Sequence, residues 1–268
     1  MNRLQKAPLA LVLSAMCSLP TFAADGDNGP LFMKDLVEGE EFFAPWGVGV
    51  DFFTMDQPYK IKSLQFELPG VSLPDPSLLD IDNDIQHFDL KLDAWLTPFL
   101  NVFGLIGYVD ADTVVDFSQA PITGLPIPLT ALPISYDGTV YGGGFTLIYG
   151  TENWFAAATT TYTDADLGGD FDSSVTTFTV QPRIGLIRDK WQIWGGGMYL
   201  DTEEDHSGTI SLPIPGVPPV PFNVELEGAE KWNYAVGIGH TFSPNAHLSF
   251  EYGFGDRDHT LFNFTLRF

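Results

Sequence analysis

Apolar and polar residues alternate along the C-terminal end of the chain. Four large apolar residues, Phe262, Phe264, Leu266 and Phe268, are separated from one another by single, mostly polar residues. Because successive side chains of a β-strand point to opposite faces, this pattern predicts a strand at 259–268 with one apolar face and one mostly polar face.

The same two-residue period recurs upstream in segments of about ten residues, separated by turn-forming residues. It predicts strands at 46–55, 86–96, 101–112, 139–149, 154–164, 174–187, 191–201, 231–242, 246–254 and 259–268. We therefore predict an all-β fold, an antiparallel up-and-down transmembrane β-barrel of ten strands, with eight or twelve strands as the alternatives. Residues 59–68 also alternate, and we interpret them as an extension of the first strand above the membrane, because a separate spanning strand would make the strand count odd.

The connections between the predicted strands are alternately short and long. Short turns are predicted at residues 97–98, 150–153, 188–190 and 243–245, and long irregular loops lie between the resulting hairpins. In outer-membrane barrels the short turns face the periplasm and the long loops face the outside, and an even strand number returns both termini to the periplasm. Four tryptophans near the short turns, Trp46, Trp95, Trp154 and Trp191, are expected to form the periplasmic aromatic girdle.

The C-terminal strand carries a resemblance to known proteins. A chain that ends on an aromatic residue, with Phe262, Phe264, Leu266 and Phe268 at every second position, resembles the insertion signal of bacterial outer-membrane barrels. The chain as a whole resembles small outer-membrane barrels of the opacity-type and porin-like classes. This resemblance implies location in the outer membrane, contact with membrane lipid and lipopolysaccharide, and handling by the barrel assembly machinery.

The first residues have the layout of a secretory signal peptide. Arg3 and Lys6 precede an apolar run from Ala7 to Leu19, and small residues end the segment at Ala23 and Ala24. The run is shorter than the about 20 residues that a membrane-spanning helix needs. We therefore divide the chain into a signal peptide at 1–24, a periplasmic lead-in or plug at 25–45 and the barrel at 46–268.

The net charge of −23 is strongly acidic, which argues against a nucleic-acid partner because phosphates would be repelled. Acidic residues cluster at the upper ends of the predicted strands. These clusters are Asp110 with Asp112, Asp164 with Asp166, Asp201 with Glu203 to Asp205, and Asp256 with Asp258. They are interpreted as solvated loop charge, with weakly bound divalent cations as the alternative.

The predicted strands place a mixed set of charges on the inner face of the barrel. These candidate lumen-lining residues are Asp51, Asp89, Lys91, Asp93, Arg183, Glu251 and Arg267. One interpretation is a salt-bridged, hydrated plug that keeps a narrow barrel rigid, and the other is a selectivity lining that passes small polar or cationic solutes. Inward glycines at Gly142, Gly144, Gly237 and Gly239 either leave local openings or relieve crowding.

Two further functions are weighed. Proline-rich apolar segments at 68–74, 125–129 and 212–217 predict contact surfaces, so an adhesion or binding protein acting through external loops is the alternative to a structural protein or narrow channel. The neighbours Asp205-His206 and Asp258-His259 fall in predicted external loops, and ten-stranded barrel proteases of the omptin type use Asp and His at the rim. No matching order of motifs is present, nor is any nucleophile, phosphate-loop or metal-ligand motif, so we expect no enzyme, no cofactor and no metal site.

Overall fold

The computed structural model describes residues 28–37, 42–66, 75, 78–119, 123–124, 130–169, 172–210, 216 and 219–268. The predicted signal peptide at 1–24 lies outside the described residues, as do most residues of the three proline-rich segments. The strands are β1 Trp46–Phe66, β2 Asp80–Thr97, β3 Leu100–Asp116, β4 Ala131–Gly150, β5 Trp154–Gly169, β6 Asp172–Arg188, β7 Trp191–Ile210, β8 Val220–Gly228, β9 Trp232–Ser243, β10 Ala246–Phe254 and β11 Asp258–Arg267.

The strands form a single antiparallel sheet that closes on itself. Sequential neighbours pair from β1 to β7 and from β9 to β11, β7 pairs with β9, and β11 returns to β1. The closing register runs from Gly47 opposite Arg267 to Asp56 opposite Asp258. The predicted all-β antiparallel barrel is therefore confirmed, and each of the ten predicted segments matches one strand of the ring.

An eleventh strand lies above that ring, where the lower end of the barrel is the end with the short turns and the upper end is the opposite one. β8 pairs with the upper half of β7, from Glu203 to Ile210, and with the upper half of β1, from Tyr59 to Phe66. β9 takes its place beside the lower half of β7. The strands β1 to β8 thus form a narrower closed collar on top of the barrel made by β1 to β7 and β9 to β11. The predicted extension of the first strand is confirmed up to Phe66.

The strands of the collar reach further than the sequence pattern predicted. β5 continues to Gly169 and β6 begins at Asp172, where a long loop was expected. Asp110, Asp112, Asp164 and Asp201 lie at strand ends as predicted, whereas Asp166 and Glu203 to Asp205 lie on extensions of β5 and β7 that were expected to be loops. Glu204, interpreted as solvated charge, is buried inside the collar. The prediction failed because the outward face becomes polar in the collar while strand pairing continues.

A belt of exposed apolar side chains surrounds the lower barrel. Its central rows include Leu90, Leu92, Ile106, Leu147, Ile184, Leu186, Ile193, Val236 and Ile238. Aromatic residues border it, with Trp46, Trp154 and Trp191 at the lower edge and Tyr108, Tyr141, Tyr162 and Trp232 at the upper edge. From Trp191 to Tyr199 the belt measures about 26 Å along the strand, or about 20 Å along the barrel axis at the usual tilt of about 40°.

The face of the sheet that carries the apolar residues changes at the upper edge of this belt, from the outer face below to the inner face above. On β2, Leu90 and Leu92 point outward, whereas Ile81 above them is buried and Asp82 and Asp84 point outward. The same change occurs on β7, where Ile193 is exposed and Leu200 is buried. A strand that leaves an apolar surrounding for water has its apolar residues outside below the boundary and inside above it.

The N-terminal segment closes against the lower end of the barrel. The amides of Leu31 and Phe32 donate to the carbonyls of Trp95 and Leu96 at 2.9 and 2.8 Å. A short 3-10 helix follows at Lys34–Val37. No helix among the described residues is both long and apolar enough to cross a membrane.

Trp95 does not belong to the outer aromatic girdle, where the sequence analysis placed it. Its side chain is buried, and its ring lies 5.1 Å from that of Phe43. Trp46, Trp154 and Trp191 are exposed on the outer surface as expected.

Candidate functional site

The interior of the barrel holds a cavity of about 670 Å³. It extends from Phe43 and Trp95 near the lower end to Tyr59, Tyr136 and Glu204 in the collar. The structure places all seven predicted lumen-lining residues on its wall: Asp51, Asp89, Lys91, Asp93, Arg183, Glu251 and Arg267. Their common position follows from strand parity, because each occupies the inward register of its strand.

Arg183 on β6 and Glu251 on β10 form the tightest ion pair of the cavity. The Nε of Arg183 lies 2.6 Å from one Glu251 oxygen, and its NH2 nitrogen lies 2.9 Å from the other. The indole Nε1 of Trp194 donates to the same carboxylate at 2.6 Å. With its side chain only 3% exposed, Glu251 is a buried carboxylate satisfied by three donor contacts.

Asp51 and Lys91 pair across the adjacent strands β1 and β2. Their oxygen and nitrogen are 3.1 Å apart, and Asn263 donates a second hydrogen bond to Asp51. The Lys91 ammonium also lies 5.5 Å from the centre of the Phe103 ring. The Asp51 carboxylate and the cation–π contact both stabilise this ammonium inside the barrel.

Asp93 and Arg267 pair at the lower end of the cavity. The Arg267 guanidinium contacts Asp93 at 2.9 Å, and Asn101 donates to the same oxygen at 2.6 Å. Arg267 also lies over the ring of Phe43, 4.8 Å from its centre. This ion pair and Phe43 line the lower end of the cavity, which we call its floor.

Asp89 differs from the other acidic residues of the wall. Among the described residues no lysine or arginine contacts its carboxylate, and the nearest basic atom is Nδ1 of His87 at 3.7 Å. One of its oxygens, Oδ1, is buried without a hydrogen bond. The carboxylate leans over Gly107, where an added Cβ would come within 1.9 Å of that oxygen.

The upper part of the cavity is apolar, contrary to the mostly polar inner face that the sequence pattern predicted. Met55, Val109, Val140, Leu167 and Leu200 are buried there in two clusters, with Ile85 packed against both. We call these six residues the apolar wall. They lie on strand segments that sequence analysis assigned in part to loops, and there the inner face carries the apolar residues.

A hydrogen-bonded cluster inside the collar covers the cavity from above. Asn83 donates to the Tyr136 hydroxyl at 2.9 Å, that hydroxyl lies 3.3 Å from Glu204, and His206 lies 2.9 Å from Glu204. Burial, followed by the charge of Glu204, raises the pKa of the Tyr136 hydroxyl well above its ordinary value. Tyr136 is therefore a neutral donor at any physiological pH.

The inward glycines relieve crowding. An added Cβ at Gly237 would meet the Trp194 ring at 2.2 Å, and one at Gly144 would meet the Phe103 ring at 2.8 Å. At Gly239 the nearest neighbour would be Gln192 at 2.9 Å, whereas at Gly142 and Gly144 it would be a backbone carbonyl of β5, that of Tyr162 at 2.2 Å and that of Thr160 at 2.0 Å. Gly237 and Gly144 thus leave room for the Trp194 and Phe103 rings, and Gly142 and Gly144 allow the close approach of β5.

The two Asp–His neighbours lie on strands and not in external loops, so that expectation is wrong. Asp205 is exposed on the outside of β7, whereas His206 is buried inside and bonds to Ser173 at 2.7 Å. Asp258 and His259 are divided in the same way on β11. Adjacent strand residues face opposite sides, so neither pair forms a dyad.

Within the described ranges no three His, Cys, Asp or Glu side chains are grouped closely enough to hold a metal ion. Weak binding of divalent cations, and the absence of enzymatic activity and of a cofactor, stay predictions.

The residues of the predicted insertion signal lie from the middle of β11 to the chain end that follows it. Phe264 and Leu266 are opposite Val50 and Val48 of β1, and Asn263 and Thr265 face the interior between them. Phe262 and Phe268 are exposed on the outer surface. Recognition of this strand by the assembly machinery stays a prediction.

Comparison with family models and with curated proteins gives no match. Solved structures similar to this chain include the transport unit of the autotransporter AIDA-I from Escherichia coli, with 11% identity, 90% of this chain and 94% of that chain covered, and a TM-score of 0.41. The translocator domain of the autotransporter NalP from Neisseria meningitidis has 10% identity, coverage of 87% and 91%, and a TM-score of 0.38. The toluene transporter TodX from Pseudomonas putida has 10% identity, coverage of 94% and 92%, and a TM-score of 0.32. At these values the similarity is one of barrel architecture and does not extend to what those proteins transport.

Proposed function

We propose that this protein is an integral outer-membrane β-barrel that acts as a narrow channel for small polar or cationic solutes. In this proposal the collar faces the outside of the cell and both termini face the periplasm. The observation that carries the proposal is a cavity enclosed by a closed barrel whose outer surface is an apolar belt bordered by aromatic residues. Such a belt is the surface that outer-membrane barrels present to lipid.

The contents of the barrel support a narrow path and not a wide pore. Three ion pairs lie in the lower cavity, and the floor is covered by Arg267 and Phe43. The path is narrowest in the collar, because eight strands enclose little free space beyond their inward side chains. Passage through it requires small solutes and movement of both the floor and the hydrogen-bonded cluster inside the collar. The same ion pairs also support the structural alternative, in which they only keep the barrel rigid.

The charged and hydroxyl-bearing residues of the wall support polar and cationic solutes. Carboxylates outnumber fixed cations on the wall, with Asp51, Asp89, Asp93, Glu204 and Glu251 against Lys91, Arg183 and Arg267. Strands β4, β5 and β6 add hydroxyl groups to the wall. These belong to Thr146, Thr159, Thr161, Thr163, Thr177 and Thr179. A negative lining concentrates cations, and the acidic collar adds to that field.

The test is conductance of the refolded protein in planar lipid bilayers. We expect small, cation-favouring conductance that rises, with stronger preference for K⁺ over Cl⁻, when Arg267→Ala removes the cation of the floor. Arg188→Ala is the matched control, because Arg188 is exposed at the lower turn and loses the same charge outside the cavity. Folded, inserted protein that carries no current in either the parent or the Arg267→Ala form would contradict the channel and favour the structural alternative.

The predicted contacts with lipopolysaccharide and with the assembly machinery are part of the same proposal, because a barrel in the outer membrane meets both. The adhesion alternative depends on the proline-rich segments, most of whose residues lie outside the described part of the chain.

A further inference from the structure

We propose that the cavity holds a binding site for a small organic cation where its ion-paired lower part meets its apolar upper part, with the apolar body packed on the apolar wall and the ammonium group bound to Asp89. The proposal names a solute class for the channel proposed above and rests on it. It is carried by the charge pairing inside the cavity, by the geometry around Asp89 and by the polarity of the neighbouring strands.

The charge pairing leaves Asp89 without a fixed partner. Each lysine or arginine on the cavity wall is matched with a different carboxylate: Lys91 with Asp51, Arg183 with Glu251 and Arg267 with Asp93. The buried Arg257 bonds to the backbone carbonyls of Glu230 and Met198 instead. Among the basic groups of the described residues, only His87 lies within 4 Å of the Asp89 carboxylate, at 3.7 Å. Asp51, which is directly opposite Asp89 in the sheet, adds a second negative charge beside it.

The burial of Asp89 and its missing hydrogen bond favour binding of a positively charged ligand. The residue is 8% exposed and lines the cavity, yet one carboxylate oxygen has no hydrogen bond. A buried carboxylate without a compensating charge or donor is unfavourable, and a ligand that brings a positive donor removes that penalty. The absence of a side chain at Gly107 leaves room for the carboxylate to lie flat against β3.

The apolar wall begins directly beside this carboxylate. On β4, Val140 is opposite Gly107, and on β3, Val109 is two residues further along the same inward face. Val109 and Val140 are both buried in the cluster that also contains Leu167. A ligand whose ammonium reaches Asp89 therefore has its remaining atoms against aliphatic side chains, which favours an apolar body.

The cavity volume limits the size of the ligand. At about 670 Å³ it lies within the about 300–1,000 Å³ typical of small-molecule sites, although that volume includes the polar lower part. An arylalkylamine or a short alkylamine matches these conditions, whereas a carboxylate of the same size would be repelled by Asp89.

The experiment compares three probes of similar shape on the full refolded protein in lipid nanodiscs. Binding of 4-fluorophenethylamine, 2-(4-fluorophenyl)ethanol and 4-fluorophenylacetate is followed by ¹⁹F nuclear magnetic resonance. We expect the amine to bind saturably with a Kd about tenfold or more below that of the alcohol, and the carboxylate to bind more weakly than the alcohol. A tenfold preference is the usual scale of a charge-assisted hydrogen bond in a buried site.

Two variants decide whether Asp89 is responsible. Asp89→Asn should abolish the preference for the amine while binding of the alcohol is kept, and Asp84→Asn, on the outer face of the same strand, should leave both unchanged. Asp89→Asn should also raise the apparent melting temperature of the ligand-free barrel, because it removes an unpaired buried charge. The same melting curve serves to check that the variant is folded. Equal binding of amine and alcohol, or a preference that survives Asp89→Asn, would overturn the site.

The outcome is separable from that of the conductance test. Saturable amine binding by a protein that carries no current keeps the site and removes the channel. Cation current without amine preference keeps the channel and removes the site.

Discussion

At the scale of single residues, the alternation of side chains along each strand predicted which residues point into the barrel. Their ion-pair partners depend on how neighbouring strands are aligned. Asp51 and Asp89 lie on the inner face for the same reason and are opposite each other in the sheet, yet Lys91 contacts Asp51 and not Asp89. The pairing of Arg183 with Glu251 joins strands β6 and β10, which are not adjacent in the sheet. Such a pair follows from barrel closure and side-chain reach, neither of which the sequence pattern contains.

The ion pair of Arg183 with Glu251 leads to a stability prediction. Glu251→Gln leaves a buried guanidinium without its counter-charge and should destabilise the barrel by about 3–5 kcal/mol, measured by urea unfolding in lipid vesicles. Glu203→Gln breaks the exposed pair with Lys62, and we expect about 0–1 kcal/mol. A Glu251→Gln variant as stable as the Glu203→Gln variant would show that the interior is hydrated enough to behave like a surface.

At the scale of elements, the sequence pattern identified the strand segments that cross the apolar belt and missed the strands of the collar. β8 lacks the pattern of a lipid-facing strand, because its outward positions carry Pro221 and the acids Glu225 and Glu227. Its apolar residues point inward, and Val220 and Leu226 are buried. The change of phase on β2 and β7 is the signal that distinguishes a collar strand from a loop, since only paired strands bury alternate residues above the belt.

The acidic outer face of the collar has a consequence for its pH dependence. Asp56 lies opposite Asp84 on one side and Asp258 on the other. Burial, followed by the charges of Asp84, Asp82 and Asp258, raises the pKa of the Asp56 carboxyl. A raised carboxyl pKa means that the folded state prefers the protonated form, so this position is favourable at low pH and becomes unfavourable as pH rises through that pKa.

We therefore expect Asp56→Asn to stabilise the barrel at pH 7 by about 0.2–0.5 kcal/mol after screening by solvent, and to have no effect below the ordinary aspartate pKa of about 3.8. The measurement is the temperature at which the folded band on an SDS gel converts to the unfolded band, taken from pH 3 to pH 8. Asp172→Asn is the control, because Asp172 lies opposite Ser207. A stabilisation that is greater at pH 3 than at pH 7 would contradict the proposed repulsion.

At the scale of the whole molecule, two surfaces of one sheet meet different surroundings. The outer surface is apolar over the lower barrel and acidic over the collar, while the inner surface is ion-paired below and apolar above. This inversion explains how a chain with a net charge of −23 also exposes many aromatic residues. The proposed channel and the proposed cation site both depend on hydrocarbon outside the lower barrel and an enclosed cavity inside it.

The most direct test of that dependence is spin-label accessibility at neighbouring positions of β4, in a chain without Cys17 and reconstituted into lipid vesicles. Leu147 is exposed on the outer belt, and Thr146 lines the cavity. A label at Leu147→Cys should collide readily with oxygen, which is concentrated in lipid, and poorly with a water-soluble nickel complex. A label at Thr146→Cys should not show this preference for oxygen. Equal access of the nickel complex to Leu147→Cys and to an outward collar position such as Asp164→Cys would contradict the account.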